Sequence, residues 1–356
     1  MRSLFTFILS LFIFSLSGFS QEKESYAYSV TGQAEYGYLI SHHAEMHRLS
    51  IRYFSSFRLF VGHKTTGKKA WHQEANFPEL GVGAFFSPLM FNDQLGQAYA
   101  VFGYFDKVYG KKERNNFHFR FGFGPGFLSS KFNSETNNQN IAIGSNVNIF
   151  FFIDLQKEFK ISKAMDVKLG LGMSHFSNTG IQKPNLGINL ASGQIGIKYR
   201  IGTQSIDVNT TPVLEYKKWT NEVLLNFGRR QVEVAKAKST VINARYQTQY
   251  SLNFRNRLVG SGDLFLDVSD PIQYEFEKVD NVFQVGITAG YLLNLDQIQF
   301  MLEWGFYVYN NSQDNDVFYH RLGCMWIASD HLIVNLSLRT VWASARNVEL
   351  GLGWRF

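Results

Sequence analysis

One cysteine and six prolines are spread over 356 residues, and after the first twenty residues no long apolar run occurs. Cys324, being alone, cannot close an intramolecular disulfide, so no disulfide framework supports the fold. No stretch beyond residue 20 approaches the ~18 consecutive apolar residues that a membrane helix needs, which excludes a helical membrane protein. A Gly-rich phosphate loop and a nucleic-acid signature are both missing. The formal net charge of +6 is not gathered into one region that would mark an anionic partner. His42-His43 with His47 has metal-like residue types without matching carboxylate spacing, and reads as loop histidines. Neither a metal nor an organic cofactor is expected.

The chain opens with Met1-Arg2, an apolar run from Leu4 to Leu16, and Gly18-Phe19-Ser20 before the polar Gln21-Glu22-Lys23. A basic start, a short apolar core and small residues at its end predict a secretory signal peptide over 1–20, with no cysteine after it to carry a lipid anchor. Beyond it the sequence alternates in long runs. Phe117, Phe119, Phe121, Phe123, Pro125 and Phe127 share one face of a strand, with His118, Arg120, Gly122, Gly124 and Gly126 on the other. The final run does the same: Val348, Leu350, Leu352, Trp354 and Phe356 oppose Asn347, Glu349, Gly351, Gly353 and Arg355. Many runs exceed ten residues, whereas strands of soluble sandwiches usually hold ~5 to 6. An exported chain of this kind predicts an all-β, transmembrane, antiparallel outer-membrane β-barrel.

Alternation and turn chemistry give about sixteen strands, the first read at 35–42 and the last at 346–356; twelve or fourteen are the alternatives, since such boundaries shift by several residues. Residues 205–356 are expected to complete the barrel begun by 21–204. With both ends periplasmic, Ser162-Lys163, Asn294–Asp296 and Ser329-Asp330 fall in turns, and the longer 130–140, 179–187 and 269–280 segments face outward. Lys68-Lys69 and Lys111-Lys112-Glu113-Arg114 then read as solvated turn charges on the periplasmic side. A weak echo aligns 167–177 with 334–344, placing Trp342 at the position of His175. A degenerate repeat accounts for it, and so does the common pattern of barrel strands.

The run 165–177 carries the chemistry. Val167, Leu169, Leu171, Met173, His175 and Ser177 form one stripe, so an imidazole and a hydroxyl finish an apolar face at the outer end of the seventh strand. Should that stripe face lipid, with Lys168 and Gly170 turned inward, a base and a nucleophile would stand where an acyl ester could reach them.

His175-x-Ser177-Asn178-x-Gly180, followed by Pro184-Asn185-x-Gly187, resembles the active-site segment of the outer-membrane lipid A deacylase family (PagL-type, acyloxyacyl hydrolase-like). The Thr66-Gly67-Lys68-Lys69-Ala70-Trp71-His72-Gln73 block, Pro78-x-Leu80-Gly81 and Gly122-x-Gly124-Pro125-Gly126 are similar to Bacteroidetes-like variants of it. The resemblance spans roughly 36–202 and leaves the C-terminal half without assigned chemistry. It implies a serine esterase of the outer membrane that hydrolyses an ester-linked acyl chain of lipid A in the lipopolysaccharide leaflet. Ser177 would be the nucleophile, His175 the general base, and the backbone around Asn178 and Gly180 the oxyanion site. Where the family pattern has an acidic residue this chain has Asn189, which can orient the histidine but supplies no negative charge. A catalytically inactive channel or transport barrel is the alternative, since about sixteen strands can enclose a water-filled lumen.

Overall fold

A computed structural model describes residues 24–356 except 42–43, 47–48, 50–52, 90–93, 110–115, 207–215, 232–233, 235–237, 268–282, 313–315 and 343. The expected signal peptide, the His42, His43 and His47 group, the 111–114 basic run and the 269–280 segment lie outside these residues. Among the described residues there are sixteen strands. They are β1 (Glu24–Ile40), β2 (Tyr53–Lys64), β3 (Glu79–Ser87), β4 (Ala98–Tyr109), β5 (Asn116–Leu128), β6 (Val147–Lys160), β7 (Met165–Ser177) and β8 (Ile188–Ser205), then β9 (Trp219–Arg230), β10 (Ser239–Ser251), β11 (Asn256–Asp267), β12 (Phe283–Leu295), β13 (Ile298–Asn310), β14 (Phe318–Ile327), β15 (Leu332–Val341) and β16 (Ser344–Arg355). A short helix, α1 (Ala70–Glu74), lies between β2 and β3.

The strands close as two eight-membered antiparallel barrels, β1 to β8 and β9 to β16, rather than as one ring of sixteen. The C-terminal half therefore does not complete the first barrel but builds its own. The reason lies in the pairing of β8, which runs against β1 from Glu24↔Ser205 to Ile40↔Asn189 and so leaves no free edge for β9. The start of β1 also differs from the sequence reading. Its outward side is interrupted by Gly32 and Ala34 and its inward side holds Ser29, Thr31 and Gln33, all buried, so the apolar contrast before residue 35 is weak.

Period-2 alternation becomes inside and outside in both barrels. On β7, Leu169 and Leu171 are 45% and 70% exposed while Asp166 and Lys168 are fully buried, which fixes the orientation of the whole stripe. Exposed Val147, Ile195, Ile197, Leu350 and Leu352 extend the apolar exterior, with Tyr36, Tyr38 and Tyr53 at one rim and Tyr28, Tyr199, Trp219 and Trp354 at the other. An apolar belt between aromatic girdles is what hydrocarbon and its interfaces stabilise. Among the described residues no helix is long and apolar enough to cross a membrane.

Both lumens are filled. In the first barrel, Phe60, Phe85, Phe102, Phe150, Phe152 and Phe176 pack as an aromatic layer toward the rim where β7 ends. Gly126 leaves room for it, since a Cβ there would sit 2.8 Å from the Phe176 ring. Within the layer Arg58, 4.4 Å over the Phe152 ring, stands between Glu35 and Asp154 at 2.8 and 3.1 Å; elsewhere in the lumen Lys168 bonds Asp106 at 2.9 Å and Lys198 bonds Glu79 at 2.7 Å. Pairing offsets the several kcal/mol that each buried ion would otherwise cost. The second lumen follows the same plan, with Arg245 to Glu303 at 2.6 Å and Arg321 to Asp263 at 3.1 Å.

The barrels touch at both ends. At the rim opposite the end of β7, Trp71 and Ala75 from α1 and its C-cap cluster with Phe105, Leu295, Phe121, Phe254 and Phe300. Lys69 pairs with Asp296, and Arg255 Nη1 donates to the Glu74 carbonyl at 3.0 Å. Lys69 is thus an inter-barrel contact rather than only a solvated turn charge, and Asp296, in a turn at φ 59°, is its partner.

Candidate active site

The site forms where β7 runs out of ladder. His175 lies directly across from Asn189 on β8, so the shared parity of the two residues becomes contact. His175 Nδ1 donates to Asn189 Oδ1 at 2.7 Å. A carbonyl oxygen only accepts, so this bond holds a proton on Nδ1, and in the neutral ring the basic lone pair is then on Nε2. His175 and Ser177 project from the outward face, while Ser174 and Phe176 between and beside them point into the lumen, where Ser174 accepts from Arg58 Nη2 at 2.8 Å.

Past Ser177 the chain folds over the strand end. Thr179 and Gly180 both take left-handed conformations, at φ 58° and 88°, and turn the backbone back toward Ser177. The Thr179 amide donates to Ser177 Oγ at 3.0 Å. Asn185, returning from the far side of the loop, donates its Nδ2 to the same oxygen at 2.9 Å, and its Oδ1 accepts the Ser177 hydroxyl at 3.2 Å. Gly187, at φ 80°, lies flat against the histidine: a Cβ there would sit 2.7 Å from His175 Cε1 and 3.5 Å from Nε2. A side chain at 187 would displace the ring.

Asn178 and Gly180 are present at the site with their amides already engaged. The Asn178 amide donates to Asn185 Oδ1 at 3.0 Å, and the Gly180 amide donates to Asn178 Oδ1 at 3.1 Å. Asn178 Oδ1 also receives the Gln182 amide at 3.3 Å while its Nδ2 holds the Gln182 carbonyl at 2.7 Å. This side chain organises the turn. The two donors that converge on Ser177 Oγ are the Thr179 amide and Asn185 Nδ2; neither was singled out as a donor in the sequence, although Asn185 stood in the Pro-Asn-x-Gly block.

The descriptions of known families divide the chain as the fold does. Residues 55–198 match the model described as lipid A 3-O-deacylase (PagL), and residues 219–356 match the acyloxyacyl hydrolase C-terminal domain. One model falls on the first barrel and the other on the second. A comparison with curated proteins finds no match. Among solved structures the chain is similar to Neisserial surface protein A, at 11% identity and a TM-score of 0.36 over 51% of this chain and 100% of that one. It is also similar to the FrpB iron transporter from Neisseria meningitidis, at 10% identity and a TM-score of 0.24 over 93% of this chain and 69% of that one.

Proposed function

Because the chain belongs to the lipid A 3-O-deacylase (PagL) family, with an acyloxyacyl hydrolase C-terminal domain after it, we propose that it releases the 3-O-linked acyl chain of lipid A with Ser177 as nucleophile and His175 as general base. It is an outer-membrane ester hydrolase of β-barrel fold whose substrate, lipid A, lies in the same membrane. What supports the residue assignment is the Asn189–His175 bond, which keeps a proton on Nδ1 and so makes Nε2 the basic nitrogen of the neutral ring, on a residue that shares the outward face of its strand with Ser177. Serine oxygen is a weak nucleophile until such a base takes its proton.

Ser177 Oγ attacks the acyl carbonyl, its proton passes to His175 Nε2, and the tetrahedral oxyanion is met by the Thr179 amide and Asn185 Nδ2. Those donors rest on Oγ before substrate binds and lie within reach of an oxygen bonded to the same carbon. Collapse expels the sugar hydroxyl, which takes the proton from His175. Water, deprotonated by the same imidazole, then releases the fatty acid and restores Ser177. Asn189 keeps the ring proton on Nδ1 throughout, and the turn ordered by Asn178 and Gly180 sets where the Thr179 amide points.

The channel reading finds no support in the lumens, which both barrels fill with buried side chains, including Arg58, Arg120, Lys168, Phe152 and Arg321. Mass spectrometry of lipid A from cells expressing the protein tests the proposal directly. Loss of one 3-O-linked acyl chain is expected with the wild type and not with Ser177→Ala or His175→Ala, both variants still migrating as folded, heat-modifiable barrels. Full acyl release by either variant would remove the Ser-His mechanism.

A further inference from the structure

The second barrel reaches the turn that follows the nucleophile. At the end of β9, the Gln231 amide donates to the Gly180 carbonyl at 2.9 Å. Its side-chain Oε1 accepts the Lys183 amide at 2.8 Å. One residue of the C-terminal barrel thus grips both sides of the loop segment that turns back over Ser177. Lys238, across the β9–β10 connection, donates to Gln182 Oε1 at 3.2 Å. Gly180 itself is wedged against the start of β16: a Cβ there would sit 2.8 Å from the Arg346 carbonyl oxygen and 3.1 Å from that of Ala345. The motif glycine is therefore a docking surface as well as a turn residue.

This contact matters because the turn is strained. Thr179 is a β-branched residue in the left-handed region, a conformation that persists only where surrounding structure over-determines it. Its amide is one of the two donors on Ser177 Oγ, so a shift in the turn is a shift in the oxyanion site. Asn178 ties the turn from within the first barrel, and Gln231 ties it from outside. The grip is anchored, since the barrels are also locked at the opposite rim by the Trp71, Phe105 and Leu295 cluster and the Lys69–Asp296 pair.

We infer that Gln231 is a positioning residue for the deacylase reaction, and that the C-terminal barrel completes the active site by holding the Thr179–Lys183 turn in its catalytic geometry. The inference rests on the function proposed above. It assigns to the second barrel a role that needs neither a nucleophile nor a base of its own.

The test is steady-state kinetics of the full chain, refolded in detergent micelles, on purified lipid A, alongside amide hydrogen exchange. Gln231→Ala removes the acceptor for the Lys183 amide and keeps the backbone bond. Misplacing catalytic groups by a fraction of an ångström to an ångström lowers turnover on the order of ten- to hundredfold. A kcat loss in that range, with KM within about twofold, is expected, together with faster exchange at the Lys183 amide and unchanged exchange in β10 to β16. Gln231→Glu, which keeps an acceptor oxygen, should restore most of the rate. Wild-type kcat in Gln231→Ala, a loss confined to KM, or a loss that Gln231→Glu does not rescue would each overturn the inference. The wild type separates the two levels: no acyl release from it counts against the proposed function, whereas a normal Gln231→Ala beside an active wild type counts only against the role of Gln231.

Discussion

Replacing Asn189 by alanine removes the 2.7 Å bond that fixes the His175 tautomer. While the ring is neutral, such a bond contributes ~0.5 to 1.5 kcal/mol, and once Nε2 has taken the serine proton a hydrogen bond from the charged imidazolium contributes ~1.5 to 3 kcal/mol. The difference, about 1 to 1.5 kcal/mol, is gained only on the way to the transition state and corresponds to roughly a tenfold change in rate. Loss of the tautomer lock adds a factor of a few, because rings with the proton on Nε2 cannot act as base. Asn189→Ala should therefore lower kcat on the order of ten- to fiftyfold with little change in KM, the pattern of an interaction that strengthens in the transition state. Asn189→Asp is nearly isosteric and puts a carboxylate oxygen where Oδ1 now stands. Opposite charges ~4 Å apart attract by about 1 kcal/mol in water and about 4 kcal/mol near a protein surface. After the cost of burying the new charge, a several-fold rise in kcat is expected. Initial rates of fatty-acid release from lipid A in mixed micelles measure both variants. Wild-type kcat in Asn189→Ala would show that Asn189 does not support the histidine, and a fall in Asn189→Asp would show that charge at this position plays no part.

Two further outcomes follow from local geometry. Gly187→Ala should leave a folded barrel but reduce kcat on the order of a hundredfold, because its Cβ would stand 2.7 Å from His175 Cε1; a rate within twofold of wild type would mean that the ring is free to move without loss. His72, on α1 between the barrels, has its pKa pushed down from 6.5 to about 4, chiefly by burial and then by Lys69. The unfolded chain then binds the proton more readily than the folded one, so stability is complete above about pH 6.5 and declines as pH falls toward 4. Thermal unfolding should show this acid-side loss, His72→Gln should flatten it across the same window, and an unchanged slope in that variant would move the effect to other groups.

The sequence carries some of this geometry openly. Alternation at 117–127 and 347–356 reads through to exposed Phe117, Phe123, Leu350 and Trp354 and to buried His118, Arg120 and Glu349, because burial acts on every second side chain. The pairing of His175 with Asn189 was legible in part, since parity puts both on one face, though only the register makes them opposite. Barrel closure was not legible. Whether β8 pairs with β1 or β9 is decided by backbone hydrogen bonds, which are the same for any residue, and by the continuous run of partners from Glu24 to Ile40. The Lys69–Asp296 pair joins residues 227 positions apart, and no local pattern marks it. The donors on Ser177 were hidden for another reason. Asn185 reaches its target through the bend made by positive φ at Thr179 and Gly180, and at Thr179 that conformation runs against the residue's own preference.

Position in the fold gives the echo between 167–177 and 334–344 a physical meaning. β7 and β15 are each the seventh strand of a ring of eight. Each is followed by a last strand that carries an aromatic and an arginine in succession, Tyr199-Arg200 within β8 and Trp354-Arg355 at the end of β16, and both arginines bind an acid at the lumen edge: Arg200 Nε to Asp166 at 2.6 Å, and Arg355 Nε to Glu222 at 2.7 Å. A degenerate repeat would account for these correspondences, and so would the shared architecture of two closed eight-stranded rings. In the alignment Ser344 falls on Ser177 while Trp342 falls on His175. The hydroxyl is kept, but an indole N–H only donates and can take no proton from it. Trp342 at φ 52° and Ser344 paired with Val341 instead form a turn of one rim. Arg346, two residues on, places its carbonyl against Gly180. The segment that aligns with the end of β7 in the first barrel is, in the second, part of the wall against which the turn proposed to hold the oxyanion donor rests.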